Sequence, residues 1–168
     1  MEDVMRKLTF FAPLAAVLAF SASPAMAEPA LISVSLGPDL QEKADELGAR
    51  EVQEQADRLA ALVGRALARD GALDGARIEL VLTDLRPNRP TFQQMVDRPG
   101  LDGHRSRSTG GAAIEGRITT ADGRVVPVKY DWFSSNLGNV WGVGAWQDAD
   151  RAYHRLAVNL ANGRYVAR

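Results

Sequence analysis

Between Asp39 and Asp70 the chain carries its strongest helix pattern, and a strand pattern lies on either side of it, Leu31–Leu36 before and Arg77–Leu85 after. Two strands joined by a helical crossover can be neighbours in one sheet only if they run the same way, which predicts a parallel pair with a right-handed connection. Ile32, Val34 and Leu36 alternate onto one face, and Gly37-Pro38 ends the run. Asp39 followed by Glu42 resembles a capping box, and Gly71 closes the helix. The apolar stripe runs Leu40, Ala44, Leu47, then Val52, Ala56, Leu59, Val63, Leu67. Its spacing slips by one residue near Gly48, which predicts a kink or a fresh helix start there. Glu42, Asp45, Glu46, Glu51 and Glu54 crowd the first half while Arg65 and Arg69 sit near the end, an order that complements the helix dipole and reads as a solvated face.

In the strand after this helix, Ile78, Leu80 and Leu82 point inward, with Arg77 and Glu79 outward. Two further alternating runs, Ala112 to Thr120 and Arg124 to Phe133, are joined through Ala121-Asp122-Gly123, a hairpin signal. Ile114 and Ile118 share one face with Val126, Val128, Tyr130 and Trp132. Pro127 cannot donate to a ladder, so the second arm is expected at an edge with that position facing away from its neighbour. A last helix is expected from Asp148 to Asn162, where Ala149, Tyr153, Leu156 and Leu160 repeat at helical spacing and Gly163 stops it. The predicted fold is α+β: a two-layer sandwich with a mixed sheet of about four strands, in the order β-α-β-β-β-α, and both helices on one face.

The first 27 residues predict a cleavable secretory signal: Arg6-Lys7, a 13-residue apolar run from Leu8 to Phe20, then Ala25-Met26-Ala27. That run is shorter than the roughly 20 residues of a membrane-spanning helix. Glu2 and Asp3 offset the basic pair, so either Met1 or Met5 could open the chain. Residues 28–168 then form one domain, expected in the periplasm, with secretion as the other destination. The absence of cysteine removes disulfides, thiolate metal sites and a lipid-attachment cysteine, so no stable membrane anchor is expected after cleavage. A net charge of −1 gives no footprint for nucleic acid.

The 26 residues from Arg86 to Gly111 have no apolar period, and so long a segment inside a compact domain is usually functional or disordered. Arg86, Arg89, Arg98, Arg105 and Arg107 outnumber Asp97 and Asp102. Phe92 and Met95 suggest a short helical turn after Pro90-Thr91. Guanidinium groups near exposed glycine amides could hold a carboxylate or phosphate, with Arg89, Arg98 and Arg105 as main contacts and Arg107 and Phe92 beside them. Alternatively, the loop is a solvated excursion whose arginines pair with the acidic helix. Trp132 to Trp146 forms a second candidate surface, with Trp141 and Trp146 as contacts and Trp132 expected to be buried; such aromatics serve equally as a plug over the sheet end.

Catalytic signals are sparse. Only His104 and His154 are present, no serine lies in a Gly-x-Ser-x-Gly elbow, and Asp102 with His104 makes a poor metal site. Gly142-Val143-Gly144 lacks the strand-turn-helix setting of a dinucleotide loop, so no catalytic residue, metal or cofactor is assigned.

Arg77–Leu85, the long Arg/Pro/Gly segment, Gly116–Gly123 and the closing Asp148–Leu156 helix together resemble exported proteobacterial domains of unknown function, over most of the chain beyond residue 27. Some similar α/β domains are accessory parts of envelope machinery, and the resemblance implies a binding role without carrying over a catalytic residue. The expected function is a non-catalytic periplasmic binding or accessory domain, facing an envelope protein or an anionic envelope component. The alternatives are a small periplasmic hydrolase or transferase with a site under the 86–111 loop, and a purely structural or stress-related protein. Oligomeric state is left open.

Overall fold

The computed structural model describes residues 29–140 and 144–167, so the export signal expected over residues 1–27 and the candidate Trp141 lie outside the described residues. Strand β1 (Leu31–Leu36) leads through helices α1 (Pro38–Leu47) and α2 (Ala49–Asp70) to β2 (Arg77–Arg86). The short α3 (Phe92–Asp97) follows, then the hairpin β3 (Gly111–Thr119) and β4 (Val125–Phe133), helix α4 (Gln147–Ala161) and the two-residue β5 (Val166–Ala167). The strands lie in sequence order in one mixed sheet, with β1–β2 and β4–β5 parallel and the two inner pairs antiparallel. The architecture is the expected α+β sandwich, with the short β5 added at the β4 edge.

The slip in the apolar stripe is a true break: Gly48 takes φ +94°, a left-handed conformation that favours glycine, and separates α1 from α2. Gly71 ends α2 in the αL conformation with its N–H on the Leu67 carbonyl. One apolar face of the sheet, carrying Ile78, Leu80, Leu82, Ala112, Ile114, Ile118, Val128 and Tyr130, packs into a single core with Leu40 and Leu47 of α1, Leu59, Val63 and Leu67 of α2, and Tyr153, Leu156 and Leu160 of α4. Full burial of each large apolar side chain contributes about 1.5–3 kcal/mol, so this face sets which way the strands point. A bulge between Leu82 and Asp84 shifts the alternation by one, which lets Leu85 stay buried while Arg86 turns out to solvent.

The other sheet face is polar. Glu79 is directly opposite Arg117 and joined to it at 2.6 Å, and Glu115 is opposite Lys129 at 2.7 Å. The Arg117 guanidinium holds the Glu79 carboxyl below the usual carboxylate range. Trp132, expected to be buried, is half-buried, with the Arg155 guanidinium 4.5 Å from its ring centre. Lys129 donates its N–H to Tyr165 on the β5 side, so by strand alternation Pro127, two residues earlier, also turns its nitrogen away from β3, as its chemistry requires.

Gly116 lies opposite Leu80, where a Cβ would come within 2.2 Å of the Glu79 carbonyl oxygen. Backbone cannot yield as a flexible side chain would. Gly116→Ala is therefore expected to destabilise the fold by about 1–3 kcal/mol through overpacking, read as a lower urea midpoint in chemical denaturation; an unchanged midpoint would contradict this contact.

Candidate functional site

The segment from Arg86 to Gly111 leaves the end of β2, builds α3 and folds back to start β3. Thr91 caps α3 reciprocally: its hydroxyl accepts from the Gln94 N–H, and the Gln94 side chain accepts from the Thr91 N–H, each at 3.2 Å. None of the residues in α3 is buried, so polar contacts rather than core packing hold it in place. Arg98 forms an ion pair with Glu46 of α1, and the Phe92 N–H donates to Glu51 of α2 at 3.1 Å. The expected pairing of loop arginines with the acidic helix is thus realised at Arg98.

On its return the loop is closed from within. Arg89, expected as a main contact, is 8% exposed and outside the cleft lining; it donates to the carbonyl of His104 at 2.5 Å and so braces the 103–104 turn, whose carbonyls need a donor. Asp102 accepts from the backbone N–H groups of Arg105 at 2.8 Å and His104 at 2.7 Å, and these hydrogen bonds hold its carboxyl below the usual aspartate range. Ser108 donates its N–H to the Asn88 carbonyl at 2.8 Å and its hydroxyl to the Pro87 carbonyl at 2.6 Å, tying the two limbs together.

Between those limbs is a cleft of about 390 Å³. Arg86, Arg98 and Arg107 line it with Gln94, Ser106, Ser108 and Thr109, while Pro87, Pro90 and Leu101 supply apolar wall. The Arg86 guanidinium is oriented by Asp84 at 2.7 Å and lies 4.5 Å from the centre of the Phe133 ring. Arg107 is exposed, and among the described residues its side chain makes no hydrogen bond or ion pair. Among the described residues no carboxylate contributes to the lining. The arrangement can therefore receive an anion on charged and hydroxyl donors, with an apolar group beside it.

Of the expected contacts, the cleft brings together Arg98 and Arg107. Arg105 is exposed outside the lining, and Phe92 is 72% exposed on the outer face of α3. Trp146 is half-buried and donates its indole N–H to Glu51 at 2.9 Å, which makes it a strut between α4 and α2. His104 is exposed and outside the lining. Arg86, Ser106, Ser108 and Thr109 are the contacts that sequence reasoning did not single out; the position of Arg86 at the end of a strand pattern was its available signal.

Beneath the cleft lies a buried polar cluster. Asn88, 1% exposed, donates its N–H to the Ala145 carbonyl at 2.6 Å and accepts the Asp148 N–H on its side-chain oxygen at 2.7 Å. Its amide nitrogen donates to the Asp148 carboxylate, which also accepts from Ser134 Oγ at 2.5 Å and Arg151 at 3.0 Å. The Asn88 side chain thereby satisfies an orphan N–H in the first turn of α4 and part of a buried charge at once. Compared with known proteins, the chain matches no family model and no curated protein.

Replacing Asn88 by alanine should destabilise the fold by about 2–3 kcal/mol, because a buried carboxylate and a helix N–H each lose a partner. Asn88→Asp should be worse at neutral pH, since it sets a second carboxylate against Asp148, and its deficit relative to wild type should shrink as acid neutralises one of the pair. Denaturation curves at pH 7 and pH 5 test this; equal loss for the two variants at both pH values would refute it. For Asp102 the sign is the depressed-carboxylate case. Its support of the 102–106 turn is complete above the ordinary aspartate range and is lost as pH falls through the lower value held in the fold. The protection factors of the His104 and Arg105 amides should therefore hold through the ordinary aspartate range and fall only below it.

Proposed function

We propose that this chain is a non-catalytic binding or accessory domain of the cell envelope, exported to the periplasm, and that the cleft in its 86–111 loop receives an anionic group of an envelope component. The observation that carries this reading is the placement of Arg86, Arg98 and Arg107 around one cleft to whose lining no carboxylate contributes among the described residues. Arg107 supplies an exposed guanidinium, Arg98 can exchange the exposed Glu46 for a ligand oxygen, and Arg86 is held in place by Asp84 and Phe133. A planar guanidinium fork suits a carboxylate or a phosphate, and the neighbouring hydroxyls offer the remaining hydrogen bonds. The lining provides donors and apolar contact rather than a paired nucleophile and base, which favours binding over hydrolysis or group transfer.

The test is capture from envelope extract by the wild-type protein and by an Arg98→Ala/Arg107→Ala variant, together with a titration of inorganic phosphate followed by NMR. A component retained by wild type and lost by the variant is expected, with retention falling as salt rises. Equal retention by both proteins would overturn the cleft assignment. No retained component, with no phosphate-induced shifts at the cleft residues, would overturn the anion-binding reading.

A further inference from the structure

The two edges of the sheet are treated differently. At the β4 edge, Pro127 removes an outward donor, the Lys129 N–H is used by Tyr165, and β5 pairs with Lys129 and Tyr130 in the middle of the strand. At the β1 edge none of these devices is present among the described residues. The β1 strand is Leu-Ile-Ser-Val-Ser-Leu, without charge or proline, and bounded by Pro29 and Pro38. Leu31 and Gly37 donate their N–H groups to Ala76 and Leu82 on the β2 side, so alternation turns the backbone groups of Ile32, Val34 and Leu36 to the open edge.

We propose that this edge pairs with the β1 strand of a second copy of the chain, antiparallel about a two-fold axis at Val34. The occupant is argued from the strand itself, which is nearly palindromic about that residue: Val34 meets its own copy, Ser33 meets Ser35, and Ile32 meets Leu36. All three outward-facing residues then fall at hydrogen-bonded positions, giving roughly six inter-strand hydrogen bonds. The Leu36 carbonyl accepts the Gln41 side chain at 2.9 Å and retains a second lone pair for the ladder. Ser33 and Ser35, both exposed on the open sheet face, become closely opposed pairs on that face.

The helix layer leaves room for this pairing. Beside the edge lies a groove of about 190 Å³ whose lining includes Ala30, Ile32, Gly64, Ala68 and Ala72 and the carboxylate of Asp74. Gly64 is within contact distance of the Ile32 side chain, and a Cβ there would stand 3.4 Å from its Cδ1. Small residues on this side of α2 allow the α2 of the second copy to approach across the axis. Half-buried Ile32, Val34 and Leu36 lose their remaining exposure beneath the two helices. The product is one continuous sheet through both copies, closed by symmetry and stopped from extending by the prolines at either end of β1.

Sedimentation equilibrium on protein purified from cells expressing the full chain tests this. Wild type should show twice the chain mass. Ser33→Lys/Ser35→Lys sets like charges opposite one another and should weaken the dimer roughly tenfold or more, whereas Ser33→Lys/Ser35→Glu sets opposite charges together and should retain it. Both positions are exposed, so circular dichroism should show native spectra for both variants. If the lysine pair impairs folding, Ser33→Glu/Ser35→Glu supplies the same repulsion with the opposite sign. A monomeric wild type at about 0.1 mM would overturn the proposal. So would a dimer indifferent to like charges, or a folded lysine–glutamate variant that stays monomeric.

Discussion

The carboxylate of Asp148 is the constraint around which the 86–111 loop is arranged. It is buried in the first turn of α4, and a buried charge without donors would cost several kcal/mol. Its donors come from three parts of the chain: Asn88 just beyond β2, Ser134 just beyond β4, and Arg151 one turn along α4. The helix N-terminus adds its own preference for negative charge. Because two of these donors are themselves tied to neighbouring backbone, Asn88 to Ala145 and Ser108, Ser134 to Gly110, the charge fixes where the long loop begins and where it returns. The cleft lies between those two fixed points.

Above this anchor the loop is held more lightly. α3 contributes no buried residue and relies on its capping box, an ion pair to α1 and one hydrogen bond to α2. Exposed ion pairs are worth about 1 kcal/mol or less. The loop thus combines a base held at Asn88 by buried hydrogen bonds with an outer wall whose link to α1 is the exposed Arg98–Glu46 ion pair. If the cleft binds an anion as proposed, that anion takes the place of Glu46 as the partner of Arg98. The same replacement would leave the base and the core unchanged.

Legibility in the sequence followed how local each physical cause is. Strand alternation, the helical stripe, its slip at Gly48 and the Asp-Gly hairpin are written within a few residues, and the sheet order follows from them. The bulge at Leu82/Asp84 and the two-residue β5 have no periodic signature, because one inserted residue or a single pair is too short to establish a period. For the site, composition identified the basic loop but not the direction of each guanidinium. Arg89 and Arg98 look alike in the sequence, yet one turns inward to satisfy loop carbonyls and the other lines the cleft. Asn88 and Asp148 stand 60 residues apart with no pattern around either, so their pairing exists only in the folded chain.

The cleft and the open β1 edge are connected through the parallel pair β1–β2. The loop departs from the C-terminal end of β2, and parallel register places that end beside the C-terminal end of β1. A two-fold axis through Val34 reverses the strand direction in the second copy, so the two clefts would lie at opposite ends of the shared sheet. Pairing at β1 and binding at the loop are therefore compatible without competing for residues: β1 contributes backbone at the edge, and the cleft draws its side chains from the segment beyond β2.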